Sequence, residues 1–494
     1  MPDSALSPSD IVRQAGPAPD PRRWSALAIL LTGAFLAPLD FFIVNVAMPA
    51  ITTGLHSTAA DVQMVISGYA VVYAVFLITG GRLGDIFGRK AIFMTGLAGF
   101  AAASALCGLA WSPTVLIAAR MLQGLAAAAM APQALASVHA LFPAHERGRA
   151  LSIYGIVLGV SSIIGQLLGG ALVGADLDGF GWRLIFLINL PIALVAFLAA
   201  IPLLRETRGE TRPRLDLGGV VLSSLALSSL VVPLVEGRER GWPWWSIVML
   251  ATTPVFVELF RRYEQRLARA GGDPLIDLGI FRLPGLVRGI SAILALYAMA
   301  TFFLTYSLYL QGSLGYTAWE AGLAILPFSA GFLAGSTFSP TISRLVGGSA
   351  PAFGFASSAF GTAATALLVL GFPAGTMPPL LLMAPAIGFI GLGMGTSMPT
   401  MMRAIVERVG PHHAGLVGGI VNSTLQVSAA ISVAVLGGLF YTLVGTRTDA
   451  ASIGHAFAWT LLAIAACHSV GAYLAAGLGR REAVGAQAVP SAAD

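Results

Sequence analysis

The sequence predicts an all-α integral membrane protein, built as two six-helix bundles with two extra transmembrane helices between them. Three observations carry that prediction. Of the 494 residues, 56% are hydrophobic and only 10% are charged, against about 25% charged in an average soluble domain. Even a compact soluble fold leaves too much surface to hide so many apolar side chains, and the mean hydropathy of +0.82 agrees. The apolar residues come in runs of about 20, the length that spans a bilayer. The basic residues then collect in alternate loops between those runs, as the positive-inside rule requires.

Taken in order, the runs start near Trp24, Val62, Ala91, Thr114, Leu151, Trp182, Leu217, Trp244, Ile290, Ala321, Ala352, Pro379, Leu416 and Ala456, which makes fourteen. Residues 1–23 are polar and proline-rich and read as a disordered cytoplasmic leader. Residues 24–204 form the first bundle. Residues 205–270 are a linker holding the two extra helices, bounded by "RETRGETRPRLD" and "RRYEQRLARAGGDP". Residues 271–479 form the second bundle, and 480–494 are a cytoplasmic tail. The arginine distribution puts both termini inside, in the plasma (inner) membrane. The loop "SPTISRLVGGSAPA" after span ten is a degenerate counterpart of "GGRLGDIFGRKA" after span two, the trace of an internal repeat.

The net charge of +5 does not indicate nucleic acid, because the arginines punctuate spans and form no basic patch with interleaved aromatics. Cys107 and Cys467 both lie in apolar runs and read as packing residues. No paired-acid, nucleophile–base, metal-ligand or phosphate-loop pattern is present, so no enzyme, cofactor or metal centre is expected.

Four motifs carry chemistry. The loop Gly81, Arg82, Leu83, Gly84, Asp85, Ile86, Phe87, Gly88, Arg89, Lys90 joins spans two and three; its glycines suit a tight turn between closely approaching helices. Span four carries Leu116, Arg120, Gln123, Gly124 and Ala127; a guanidinium there costs about 2.5–3.5 kcal/mol and needs a partner or a wet cavity, unless it snorkels. Span five, "YGIVLGVSSIIGQLLGGALV", places Gly165, Gly169 and Gly170 for close helix packing, with Gln166 either lining a substrate path or bonding between helices. Span one carries Leu39-Asp40, then Val44-Asn45-Val46-Ala47 and Pro49.

These four motifs together resemble the major facilitator superfamily, and within it the fourteen-helix drug:proton antiporter branch. The resemblance covers nearly the whole chain. It departs at Gln166, where the branch has proline, and at Phe42, where the branch usually has threonine. It implies a major facilitator fold, proton-driven export of amphiphilic small molecules by alternating access, and a monomer among bilayer lipids. It also implies that the Gly81–Lys90 loop is a conformational latch. Asp40 is then the proton site and Arg120 its electrostatic modulator. Asn45, Gln123, Gln166, Asn422 and Gln426 become cavity contacts.

Asp40 is the one deep carboxylate visible in the spans, with Glu236, Glu258 and Glu320 read as helix-end residues and His468 as a packing residue. Burial and a guanidinium push a carboxylate's protonation in opposite directions, which makes it responsive to substrate. A permanently paired structural acid is the alternative. Phe42, in place of the hydroxyl usual in the branch, is expected to leave Asp40 one fewer local hydrogen-bond donor, which favours the protonated form. Span thirteen has no acid, which favours neutral, anionic or monocationic substrates over dications. An exporter or importer dedicated to one endogenous metabolite would use the same fold, and a non-transport membrane receptor is the remote alternative.

Overall fold

The structure, a computed structural model, describes residues 20–175, 180–207, 216–237, 241–276, 278–409, 414–445 and 449–485. Among the described residues there is no strand. The long helices are α1 (Arg23–Leu55), α2 (Ala59–Phe87), α3 (Arg89–Gly108), α4 (Pro113–Leu141), α5 (Ala144–Ala175), α6 (Asn189–Leu203), α7 (Leu217–Glu236) and α8 (Trp244–Arg269). Then come α9 (Leu286–Leu296), α10 (Met299–Leu308), α11 (Leu326–Val346), α12 (Ala350–Gly371), α13 (Leu380–Val409), α14 (Ala414–Ser432) and α15 (Ala450–Gly485). A helix lies at each of the fourteen expected positions, with α9 and α10 together forming the ninth.

Local chemistry sets the starts. Thr58 and Asp61 make a reciprocal capping box on α2, Ser112 caps α4 ahead of Pro113, and Asp216 accepts from Gly219 N–H to cap α7. Helix α5 begins at Ala144, ahead of the expected Leu151, because its first turns carry Glu146, Arg147 and Arg149 outside the apolar run.

Among the described residues, twelve stretches are long and apolar enough to cross a membrane. The expected fourteen is therefore not reached by that measure, for two physical reasons. One stretch, Glu320–Gly371, runs through both α11 and α12, which only the short turn Gly347–Ser349 separates. The other is α8, whose apolar first half gives way to "ELFRRYEQRLAR"; Glu258 there pairs with Arg261 and Arg262.

Helix packing brings α2 and α3 against α4, α1 against α5, and α7 against α8. In the second half, α11 and α12 pack against α13 in the same way that α2 and α3 pack against α4. The halves meet where α14 lies on α2 and α4, and where α5 lies on α11 and α13. Helix α7 leans on both α2 and α14, so the accessory pair sits beside that first seam. Phe42 on α1 meets Phe303 on α10 edge-to-face at 5.9 Å across the middle.

Candidate functional site

The site grows from four helices of the first half. From Arg23 to Asp40, α1 rises about 25 Å, which carries the carboxylate past the middle of the span. Helix α4 runs the opposite way and presents Arg120 and Gln123 one turn apart on one face. Helices α3 and α6 add Ser104 and Asn189. Asp40, Arg120, Gln123, Ser104 and Asn189 are each 0% exposed.

The geometry is a closed hydrogen-bonded cage. Arg120 donates to Asp40 Oδ2 as a buried ion pair, to Gln123 Oε1 at 2.7 Å and, through Nε, to the Val65 carbonyl of α2 at 3.0 Å. Gln123 Nε2 donates to Asp40 Oδ1 at 2.8 Å and to Ser104 Oγ at 2.8 Å. Asn189 Nδ2 donates to Asp40 Oδ1 at 2.9 Å. The carboxylate thus accepts from three side chains on two other helices. Phe42 gives Asp40 no local donor, and the donors it does have come from α4 and α6.

Tyr69 covers the guanidinium, its ring 4.2 Å from Arg120 Cζ, and donates its hydroxyl to the Ala37 carbonyl at 2.9 Å. It stacks in turn on Tyr73. Beyond the cage, away from Arg23, lies a separate apolar cluster that includes Ile43, Val65, Cys107, Leu116, Ile185 and Phe186. Arg120 is therefore enclosed and does not snorkel. Two atoms of the cage lack partners: Arg120 Nη2 and Asn189 Oδ1, both buried. The cage thus keeps unused donor capacity at Arg120 Nη2 and unused acceptor capacity at Asn189 Oδ1.

Close backbone approach positions the carboxylate. A Cβ at Gly165 would stand 2.7 Å from the Leu39 carbonyl, and one at Gly169 2.9 Å from the Ile43 carbonyl, so these glycines let α5 lie directly on the segment that carries Asp40. Gly170 is half-buried on the same helix. Gln166 is also half-buried, and among the described residues no hydrogen bond to its side chain is formed. Gln123, expected to line a cavity, is instead committed to the cage. The side chains of Asn45, Asn422 and Gln426 lie outside what the structure describes.

The loop at the basic end is tied on three sides. Asp85 pairs with Arg89 at 3.0 Å, and Gly88, at φ +109°, turns the chain between α2 and α3. Lys90 Nζ donates to the carbonyls of Ile201 and Leu204, while the backbone N–H groups of Lys90 and Ala91 donate to Glu206. The loop so grips the end of α6. Gln133 of α4 donates to the Gly80 carbonyl, and no side chain fits between its amide and Gly84. Gly81 faces Pro132 with room to spare. Arg82 reaches away from these, to the Pro274 carbonyl at 2.6 Å.

Sequence reasoning missed Ser104, Asn189 and Tyr69. A lone asparagine in "LIFLINLPIAL" is a signal that a search for charged residues alone passes over; Ser104 in "AAASALC" gives none. Glu236 is the last residue of α7, as expected, and is also buried there, accepting from Ser67 Oγ at 2.6 Å, two residues from the Val65 that holds Arg120.

Residues 30–433 match the family model described as Major Facilitator Superfamily. Over 455 residues the chain is 36% identical to a probable actinorhodin transporter of Streptomyces coelicolor, covering 91% of this chain and 78% of that one. It is 37% identical over 443 residues to a puromycin resistance protein of Streptomyces alboniger, covering 88% and 85%. It is 33% identical over 438 residues to a tetracenomycin C resistance and export protein of Streptomyces glaucescens, covering 86% and 77%. Among solved structures, a human organic anion transporter superposes with a TM-score of 0.64 at 15% identity, over 92% of this chain and all of that one. A proton:xylose symporter does so with a TM-score of 0.62 at 12% identity, over 91% and 95%. At those identities the two structures speak for the fold alone.

Proposed function

The chain belongs to the major facilitator superfamily, and on that premise we propose that it exports amphiphilic small molecules in exchange for protons. The observation that carries this reading is the sealed cage around Asp40. In a carboxylate wholly removed from water, yet bonded to a guanidinium and two amides, burial favours the neutral form and the donors favour the charged one, so a change in either moves the proton. Such a group can take a proton from one side and give it to the other as the bundles rock. Relatives named for antibiotic export or resistance support a drug or toxic metabolite as cargo.

Asp40 is the proton carrier in this scheme, Arg120 its counter-charge, and Asn189, Gln123 and Ser104 the groups that hold both in register. Residues 24–204 and 271–479 are the rocking halves, and 205–270 carry the accessory helices beside the seam. The basic end, with Arg23, Arg82 and Lys90, faces the cytoplasm, and the protein works as a monomer in the plasma membrane. The Gly81–Lys90 loop is the latch: its grip on Ile201, Leu204 and Glu206 joins the ends of α3 and α6 so that the half moves as one body. Gly165, Gly169 and Gly170 keep α5 and α1 together through the movement, with Gln166 and the polar face of α14, including Asn422 and Gln426, along the substrate path beside Asn45.

A second reading, a dedicated exporter of one metabolite, is favoured by the three relatives above, each named for a single compound. A panel containing puromycin and aromatic polyketides, offered to inside-out vesicles, separates the two by the breadth of compounds taken up. An acid-loaded lumen should drive uptake that a protonophore abolishes. Uptake indifferent to the protonophore would overturn proton antiport.

A further inference from the structure

The far end of α8 and the chain that leaves it hold a second arrangement of carboxyl groups, outside the spans. Asp216, ahead of α7, and Glu264, in the charged overhang of α8, are both buried. Asp216 accepts from Gly219 N–H at 2.8 Å, from Tyr263 Oη–H at 2.9 Å and from Leu275 N–H at 3.3 Å. Glu264 accepts from Ile276 N–H at 3.0 Å through Oε2. Its other oxygen, Oε1, is buried and has no donor. Asp216 Oδ2 and Glu264 Oε1 close on the same point above Gly219, where a Cβ would overlap both. Asp216 Oδ2 also takes the Leu275 N–H, so Glu264 Oε1 is the oxygen left without a donor, and a proton held between the two carboxyl groups satisfies it.

That pair clasps a strap. Residues 270–276 leave α8 and lead into the second half of the molecule, and their last two N–H groups are the ones held by Asp216 and Glu264. On its other side the strap is held by the first half, through Arg82 to the Pro274 carbonyl. One short segment therefore meets both the accessory helices and the latch loop.

We propose that Asp216 and Glu264 are a proton-binding site at the basic end of the molecule, whose single shared proton keeps the 270–276 strap docked between the accessory helices and the latch. The groups that face Glu264 are few. Asp216 comes from α7 and Tyr263 from α8 itself; the strap contributes backbone donors, with Asp273 just ahead and Arg82 of α2 at Pro274. Arg262 and Arg266 of α8 are exposed, and the turn Leu278–Arg282, which also packs on α8, buries Ile280 there.

Burial, with Asp216 beside it, pushes the Glu264 carboxyl up to about 8. An acid raised in this way favours the docked form at low pH. Docking is fully supported below the ordinary carboxylate range and is lost as pH rises through about 8. Above that, two adjacent carboxylates repel and the strap's grip on both halves loosens. The site thus reads cytoplasmic pH independently of any substrate.

Hydrogen exchange on the intact protein in detergent tests this without a transport assay. After correction for intrinsic rates, protection of the Leu275 and Ile276 amides should fall about tenfold between pH about 7 and about 9, following the loss of the shared proton. Glu264→Gln, whose amide can donate to Asp216 permanently, should keep the protection at both pH values. Arg82→Gln should lower it by the same factor at both. Wild-type protection that stays constant across the range overturns the proposal whatever the variants do, and so does a Glu264→Gln protein that loses protection as the wild type does.

Discussion

Asp40→Asn is expected to abolish substrate accumulation driven by a pH gradient while leaving substrate-for-substrate exchange in place. The asparagine keeps the size of the side chain and an acceptor for Arg120, so it stands in for the protonated carboxyl in the cage of Gln123, Asn189 and Ser104. It cannot release a proton on the other side. With one proton exchanged per substrate, each unit of pH gradient supports about tenfold accumulation, or about 1.4 kcal/mol. The wild type should approach that figure in proteoliposomes, and Asp40→Asn should stay at unity. Accumulation by the variant equal to the wild type's would remove Asp40 from the mechanism.

Arg120→Leu should be the most damaging single change to stability. It takes away the counter-charge of a carboxylate that is wholly buried, and it strands the Val65 carbonyl and Gln123 Oε1 as well. Breaking a buried pair in this way costs about 3–5 kcal/mol, because the remaining charge has no water to turn to. The double variant Asp40→Asn/Arg120→Leu removes that stranded charge and should recover much of the loss. Thermal unfolding of the purified proteins in one detergent compares the four corners of the cycle. A double variant no more stable than Arg120→Leu would mean that the ion pair is not what holds this layer together.

The sequence carried the fold well because bilayer spans announce themselves: length, apolarity and the arginine asymmetry are all local properties of the chain. It also marked both members of the central ion pair, since a charge in an apolar run is conspicuous. What it could not show was who else reaches them. Asn189 and Ser104 come from helices far along the chain, and neutral polar side chains are common enough in spans that their meaning depends on what they face. The reading of Phe42 was partial for the same reason: it counted donors along one helix, whereas those that reach Asp40 come from α4 and α6. Glu264 and Asp216 lie in "RRYEQRLARAGGDP" and "RETRGETRPRLD", stretches that mark no site by themselves; only the fold of α7 on α8 buries the two together.

The account turns on Asp40 giving up a proton when substrate binds. That can be read directly, by adding the best-transported compound of the panel to purified protein in weakly buffered detergent and following the released protons with an indicator dye. Saturating compound should release about one proton per wild-type molecule and none from Asp40→Asn. Equal release from the two proteins, or none from a wild type that demonstrably binds the compound, would contradict it.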